Sequence, residues 1–142
     1  MKQNEKAQKL REYLRKYTSC QSRKKSLAKC LEKEMDDAAR KLLSADKEKL
    51  SVHCENVLLI MDYLAPDSLA RQIFDKHYLQ DLSMDLTADA LGYSYGYCAN
   101  VESAAIKQLV QKEEVMLLIN SASERAGISR FRRKDVEVGK FV

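Results

Sequence analysis

The chain has 142 residues, a formal net charge of +4, 45% hydrophobic and 32% charged residues, one Pro and four Gly. That length supports a single domain with a modest core, or a domain carrying an arm, and so few chain breakers point to an all-α protein. No apolar run approaches the roughly 18 residues of a membrane span, and the charged first 16 residues hold no apolar leader segment, so neither a membrane nor a secreted location is expected and the cytoplasm is.

Residues 1–45 read as a helical arm. Leu10, Tyr17, Lys24, Leu31 and Ala38 recur every seventh position, the spacing of a coiled-coil seam. Tyr13 or Leu14, Cys20, Leu27, Glu34 or Met35 and Lys41 or Leu42 fill a second seam. Thr18-Ser19-Cys20-Gln21-Ser22 is poor in strong helix formers and predicts a kink or a loop. Two readings stay open: a dimerising coiled coil, or a long amphipathic helix folded back on its own domain. The clusters Lys9, Arg11, Arg15, Lys16 and Arg23, Lys24, Lys25 are either phosphate contacts or a solvated face.

Residues 46–120 read as the main domain. Ser44-Ala45-Asp46 interrupts the periodicity, and Asp46 can cap a helix over about 47–63 whose inner face is Leu50, Cys54, Val57, Leu58, Met61 and Leu64. Pro66 ends it and Asp67 caps the next, which turns Leu69, Ile73, Phe74, His77 and Tyr78 inward. His77 reads as a core or boundary imidazole, because no nucleophile or carboxylate constellation accompanies it.

Ser83 can cap a short helix with Asp85 in its first turn and Leu86, Ala90 and Leu91 on one face. Gly92 then supplies a left-handed corner. Ser94 caps the following helix, and Tyr93 is placed to staple onto Cys98. In that helix Cys98, Val101, Ala105 and Leu109 fall at core spacing, leaving Tyr95, Gly96, Ala99, Asn100 and Ser103 outward. The pattern predicts one extended last helix from Ser94 to about Asn120, whose apolar end at residues 115–119 needs the arm or a second subunit to cover it. Cys20, Cys30, Cys54 and Cys98 form no CxxC and read as reduced thiols; a zinc site from His53 and Cys54 has poor spacing. Residues 121–142 are a basic tail with Arg125, Arg130, Arg132, Arg133 and Lys134, either a DNA-backbone arm or a solvated end.

A capped short helix, a glycine corner and a newly capped helix make the layout of a helix-turn-helix, which lays its last helix in the major groove of DNA. The run from Ile73 to Ser94 resembles region 4 of sigma-70-type factors and the small sigma-like regulators of phages and mobile elements, the ArpU and RinA type. The likeness is carried by Tyr78-Leu79, Leu82-Ser83, Ala88-Asp89-Ala90-Leu91-Gly92, Tyr93-Ser94 and Tyr97-Cys98, with Leu64-Ala65-Pro66 as the entry, and it spans residues 58–109. It implies a transcriptional regulator that binds double-stranded DNA, acts as a homodimer and has RNA polymerase as a further partner. One departure is plain: residues 94–105 contain no Arg or Lys, and Glu102 is acidic.

Two classes of function follow. In the first, a sequence-specific regulator reads bases with Tyr95, Gly96, Ala99, Asn100 and Ser103, where an Asn amide pairs with adenine and small residues meet thymine methyls. Phosphates fall to Ser83, Tyr97, Lys107, Arg125, Arg130, Arg132, Arg133 and Lys134. In the second, a helical protein–protein interaction module, an adaptor or oligomerisation unit, keeps the shape without binding DNA. No nucleophile, phosphate-loop or metal motif points to an enzyme, and no cofactor is implied.

Overall fold

The computed structural model describes residues 2–124, with side chains through Asn120. Among these residues the protein is all-α. Its helices are α1 (Gln3–Arg15), α2 (Tyr17–Leu31), α3 (Asp37–Met61), α4 (Leu69–Phe74), α5 (Met84–Leu91), α6 (Tyr95–Val110) and α7 (Glu113–Glu124), and a π-helical turn (Asp75–Leu79) extends α4.

The helices α1 and α2 form one long helix bent at Lys16, two residues before the stretch whose composition predicts a break. Ser19 explains the position. Its hydroxyl donates to the Lys16 carbonyl at 3.0 Å, which also accepts the Cys20 amide at 2.9 Å. Back-bonding of this kind tilts a carbonyl outward and bends a helix. Residues 18–22 themselves are helical.

The turn that reverses the chain lies at residues 32–36, not at 44–46. Asp36, rather than Asp46, is the N-cap: its carboxylate accepts the Ala39 amide at 2.8 Å. Arg40 secures the other side by donating to the carbonyls of Leu31 and Lys33 at 2.8 and 3.1 Å, satisfying the end of α2. Ser44-Ala45-Asp46 therefore sits in mid-helix, and α2 and α3 run side by side as an antiparallel hairpin.

The first positions of the heptad pattern are used within the chain. Leu10, Tyr13 and Leu14 of α1 are buried against Val57, Ile60, Met61, Phe74, Tyr78, Ile106 and Leu109 in the main core. The start of the arm, α1, folds back on its own domain. The apolar end at residues 115–119 enters the same core through Val115, Leu118 and Ile119.

The last helix is not continuous. It stops at Val110 and restarts at Glu113, with the Gln111 and Lys112 amides donating to Gln108 and Leu109. At about 100° per residue, a straight helix would carry Val115 about 240° round from Leu109, away from the core. The break at 111–112 brings both apolar runs onto one core.

Candidate nucleic-acid interface

The corner at Gly92 is built as its residues dictate. Ser83 caps α5 by accepting the Leu86 amide at 3.2 Å. Gly92 has φ 77° and ψ 27°, the left-handed conformation that glycine adopts without penalty. The Tyr93 amide reaches back to the Ala88 carbonyl at 3.0 Å, the closing bond of a Schellman turn. Ser94 then caps α6 by accepting the Tyr97 amide at 3.2 Å.

Two local expectations change. Tyr93 packs against Tyr97 with tilted rings 5.3 Å apart, while Cys98 is fully buried beside Ile73 and Ala88. The inner face of α5 is Thr87 and Ala88, flanked by Met84 and Leu91; Leu86 and Ala90 are exposed. Positions 84, 88 and 91 make a stripe as regular as 86, 90 and 91, and the docking of α5 on Ile73 and Cys98 chooses between them. One helix back, Ser68 rather than Asp67 caps α4, accepting the Arg71 amide at 3.1 Å.

Of the residues assigned to bases, Tyr95, Gly96 and Asn100 are exposed on the first turns of α6, and Ala99 is half-buried. Ser103 turns toward α1 instead of outward: its hydroxyl accepts from Arg11 Nη2 at 3.1 Å. Of those assigned to phosphates, Ser83, Tyr97 and Lys107 are exposed. Arg125, Arg130, Arg132, Arg133 and Lys134 lie outside the described residues.

The acidic residue of α6 is not on the outer surface. Glu102 is buried, 5% exposed, and faces the core. It accepts from Arg11 Nη2 at 2.9 Å and Arg11 Nε at 3.3 Å, a two-pronged ion pair across α1 and α6, and Tyr78 donates its hydroxyl to the same carboxylate. Burial first, and then the Glu102 charge, push the Tyr78 phenol well above its ordinary range, so it stays a proton donor. The hydrogen bond to Glu102 likewise holds Arg11 in its charged form. Tyr78 reaches Glu102 from the π-helical turn, and His77 anchors that turn through its Nδ1 contact with the Leu82 carbonyl at 2.7 Å.

No protein-family model, curated protein or solved structure matches this chain.

With Glu102 turned inward, the outer face of α6 offers phenols, an amide and backbone, without its own carboxylate. Exposed acids remain on α5 at Asp85 and Asp89. Among the described residues no group of three or more His, Cys, Asp or Glu is arranged to hold a metal. Sequence reasoning passed over Arg11 as a residue of this site. Its only signal was a basic cluster on a helix, and nothing in that cluster reveals which cation meets α6.

Proposed function

We propose that the protein is a sequence-specific double-stranded DNA-binding regulator of the sigma region 4-like kind, with α6 laid in the major groove. The observation that carries this reading is the corner at Gly92: it leaves Tyr95, Gly96 and Asn100 exposed at the start of a helix whose one acid is buried. An exposed Asn amide suits the paired donor and acceptor of adenine, and Gly96 allows close approach of backbone to a base edge. Support also comes from the resemblance of residues 58–109 to such regulators. A homodimer and an RNA polymerase contact belong to the same proposal.

The test is selection of bound duplexes from random DNA by the full chain, followed by affinity measured across salt concentrations. A regulator binds the selected duplex with a steep inverse salt dependence. Asn100→Ala then weakens the selected duplex by about 1–3 kcal/mol more than an unrelated one. Equal loss on both duplexes removes Asn100 as the reader.

A protein-interaction module is the second reading. Tyr93, Tyr95, Tyr97 and Leu86 are all about half exposed, and Tyr93 lies against Tyr97, so the corner offers phenols of the kind that anchor protein interfaces. That reading predicts no salt-sensitive shift of any duplex.

A further inference from the structure

The element that approaches α6 from the side is α1, which brings Arg11 to a helix whose one cation is Lys107. The two helices run antiparallel. Gln3 Nε2 donates to the Lys107 carbonyl at 3.4 Å near one end, and Arg11 meets Glu102 and Ser103 further along. One turn beyond, exposed Arg15 lies within Coulombic reach of Tyr78. Between the helices is a cleft of about 260 Å³ lined by Gln3, Asn4, Arg11, Ser103 and Lys107, floored by Ala7 and Ile106. Glu102 neutralises Arg11, so the exposed ammonium of Lys107 sets the net sign of the cleft, with amides and a hydroxyl as further donors.

The position of this cleft matters as much as its chemistry. Ser103 and Ala104 follow Asn100 by three and four residues, and Lys107 follows them by four and three, so the four lie along one stripe of α6. Seven residues from Asn100 to Lys107 cover roughly 10 Å of helix axis. The major groove is about 12 Å wide, so a side chain that distance from a base reader meets the sugar-phosphate wall.

We propose that the α1–α6 cleft seats a backbone phosphate of the duplex that α6 reads, with Lys107 and Asn4 as its ligands and Arg11 holding the two walls together. This inference rests on the DNA-binding reading and extends it. It makes α1 part of the interface through the Asn4 amide, while the charge comes from Lys107 of α6 itself.

The experiment uses the full chain and the selected duplex. Lys107→Gln is expected to lower the slope of log affinity against log salt by about 0.9, equally for selected and unrelated duplexes. Asn4→Asp, which puts a carboxylate at the same point on an exposed helix, weakens both duplexes. A single neutral methylphosphonate, moved along the selected duplex, has one position that weakens the wild type and has no further effect on Lys107→Gln. Wild type that binds DNA while both variants keep its slope and affinity overturns the cleft and leaves the regulator standing. Wild type that binds no duplex overturns both. Inorganic phosphate provides the remaining arm. If it shifts the amide resonances of Gln3, Asn4 and Ser103 while the variants leave DNA binding unchanged, the cleft belongs to a free phosphate and the DNA assignment fails.

Discussion

Glu102 shows what a single buried carboxylate does here. It joins Arg11 of α1 and Tyr78 of the π-helical turn to α6, so three separate segments meet on one side chain. Glu102→Ala removes the acceptor and leaves a partly buried guanidinium and a buried phenol without it. The expected loss is about 3 kcal/mol, read from urea unfolding. Glu102→Gln, which keeps an acceptor of the same shape, should lose less; a loss equal to that of Glu102→Ala would mean that the charge carries the whole contribution and shape none. His53 is the second titratable group of interest. Its ring lies 3.9 Å from that of Tyr13, with Nε2 2.8 Å from the Tyr13 carbonyl. Burial outweighs that hydrogen bond and lowers its pKa below the ordinary 6.5. The folded state therefore binds the proton less tightly than the unfolded chain, so this contribution is complete above about pH 6.5 and is lost as pH falls below it. The wild-type melting temperature should drop between about pH 7 and about pH 5.5. His53→Gln should flatten that part of the curve, and a variant curve parallel to the wild type would discard the assignment. The buried Cys54 thiol, pushed up to about 11 by desolvation, stays protonated and unreactive across the same range.

At the scale of elements, caps and corners decide where helices stop. Asp36, Ser68, Ser83 and Ser94 each accept an amide from the first turn of the helix they precede. Gly92 is the one glycine with positive φ among the described residues. A Cβ built there meets nothing within 4 Å, so a substitution is penalised by the backbone alone. Gly92→Val should destabilise by about 1–2 kcal/mol or somewhat more for its β-branch. Gly92→Asn should cost less, since Asn tolerates the left-handed region. Chemical denaturation of the two variants distinguishes this from a packing defect, which would instead track side-chain volume.

On the scale of the whole molecule, the N-terminal segment is a structural wall of the domain. Leu10 and Leu14 are fully buried in a core shared with α3, α6 and α7. Leu10→Ala should therefore cost about 3 kcal/mol in a single cooperative unfolding transition. An independent arm would show the opposite pattern, with domain stability unchanged and only self-association altered. The same packing puts α1 alongside α6, where Arg11 pairs with Glu102.

The all-α class, the corner at Gly92, the caps at Ser83 and Ser94 and the inward set Cys98, Ala105 and Leu109 were legible in the sequence. Each is set within a few residues by backbone sterics, a short side-chain hydrogen bond or a helical period, and needs no knowledge of distant neighbours. Three features were decided only by tertiary packing: the turn at 32–36 in place of 44–46, the break at 111–112, and the inward face of α5. In each case the local pattern allowed more than one answer, and burial against a segment tens of residues away selected among them. The partnership of Arg11 with Glu102 is the clearest instance. The two residues are 91 positions apart, and a charge on a helix surface carries no mark of the opposite charge it will meet once the chain has folded.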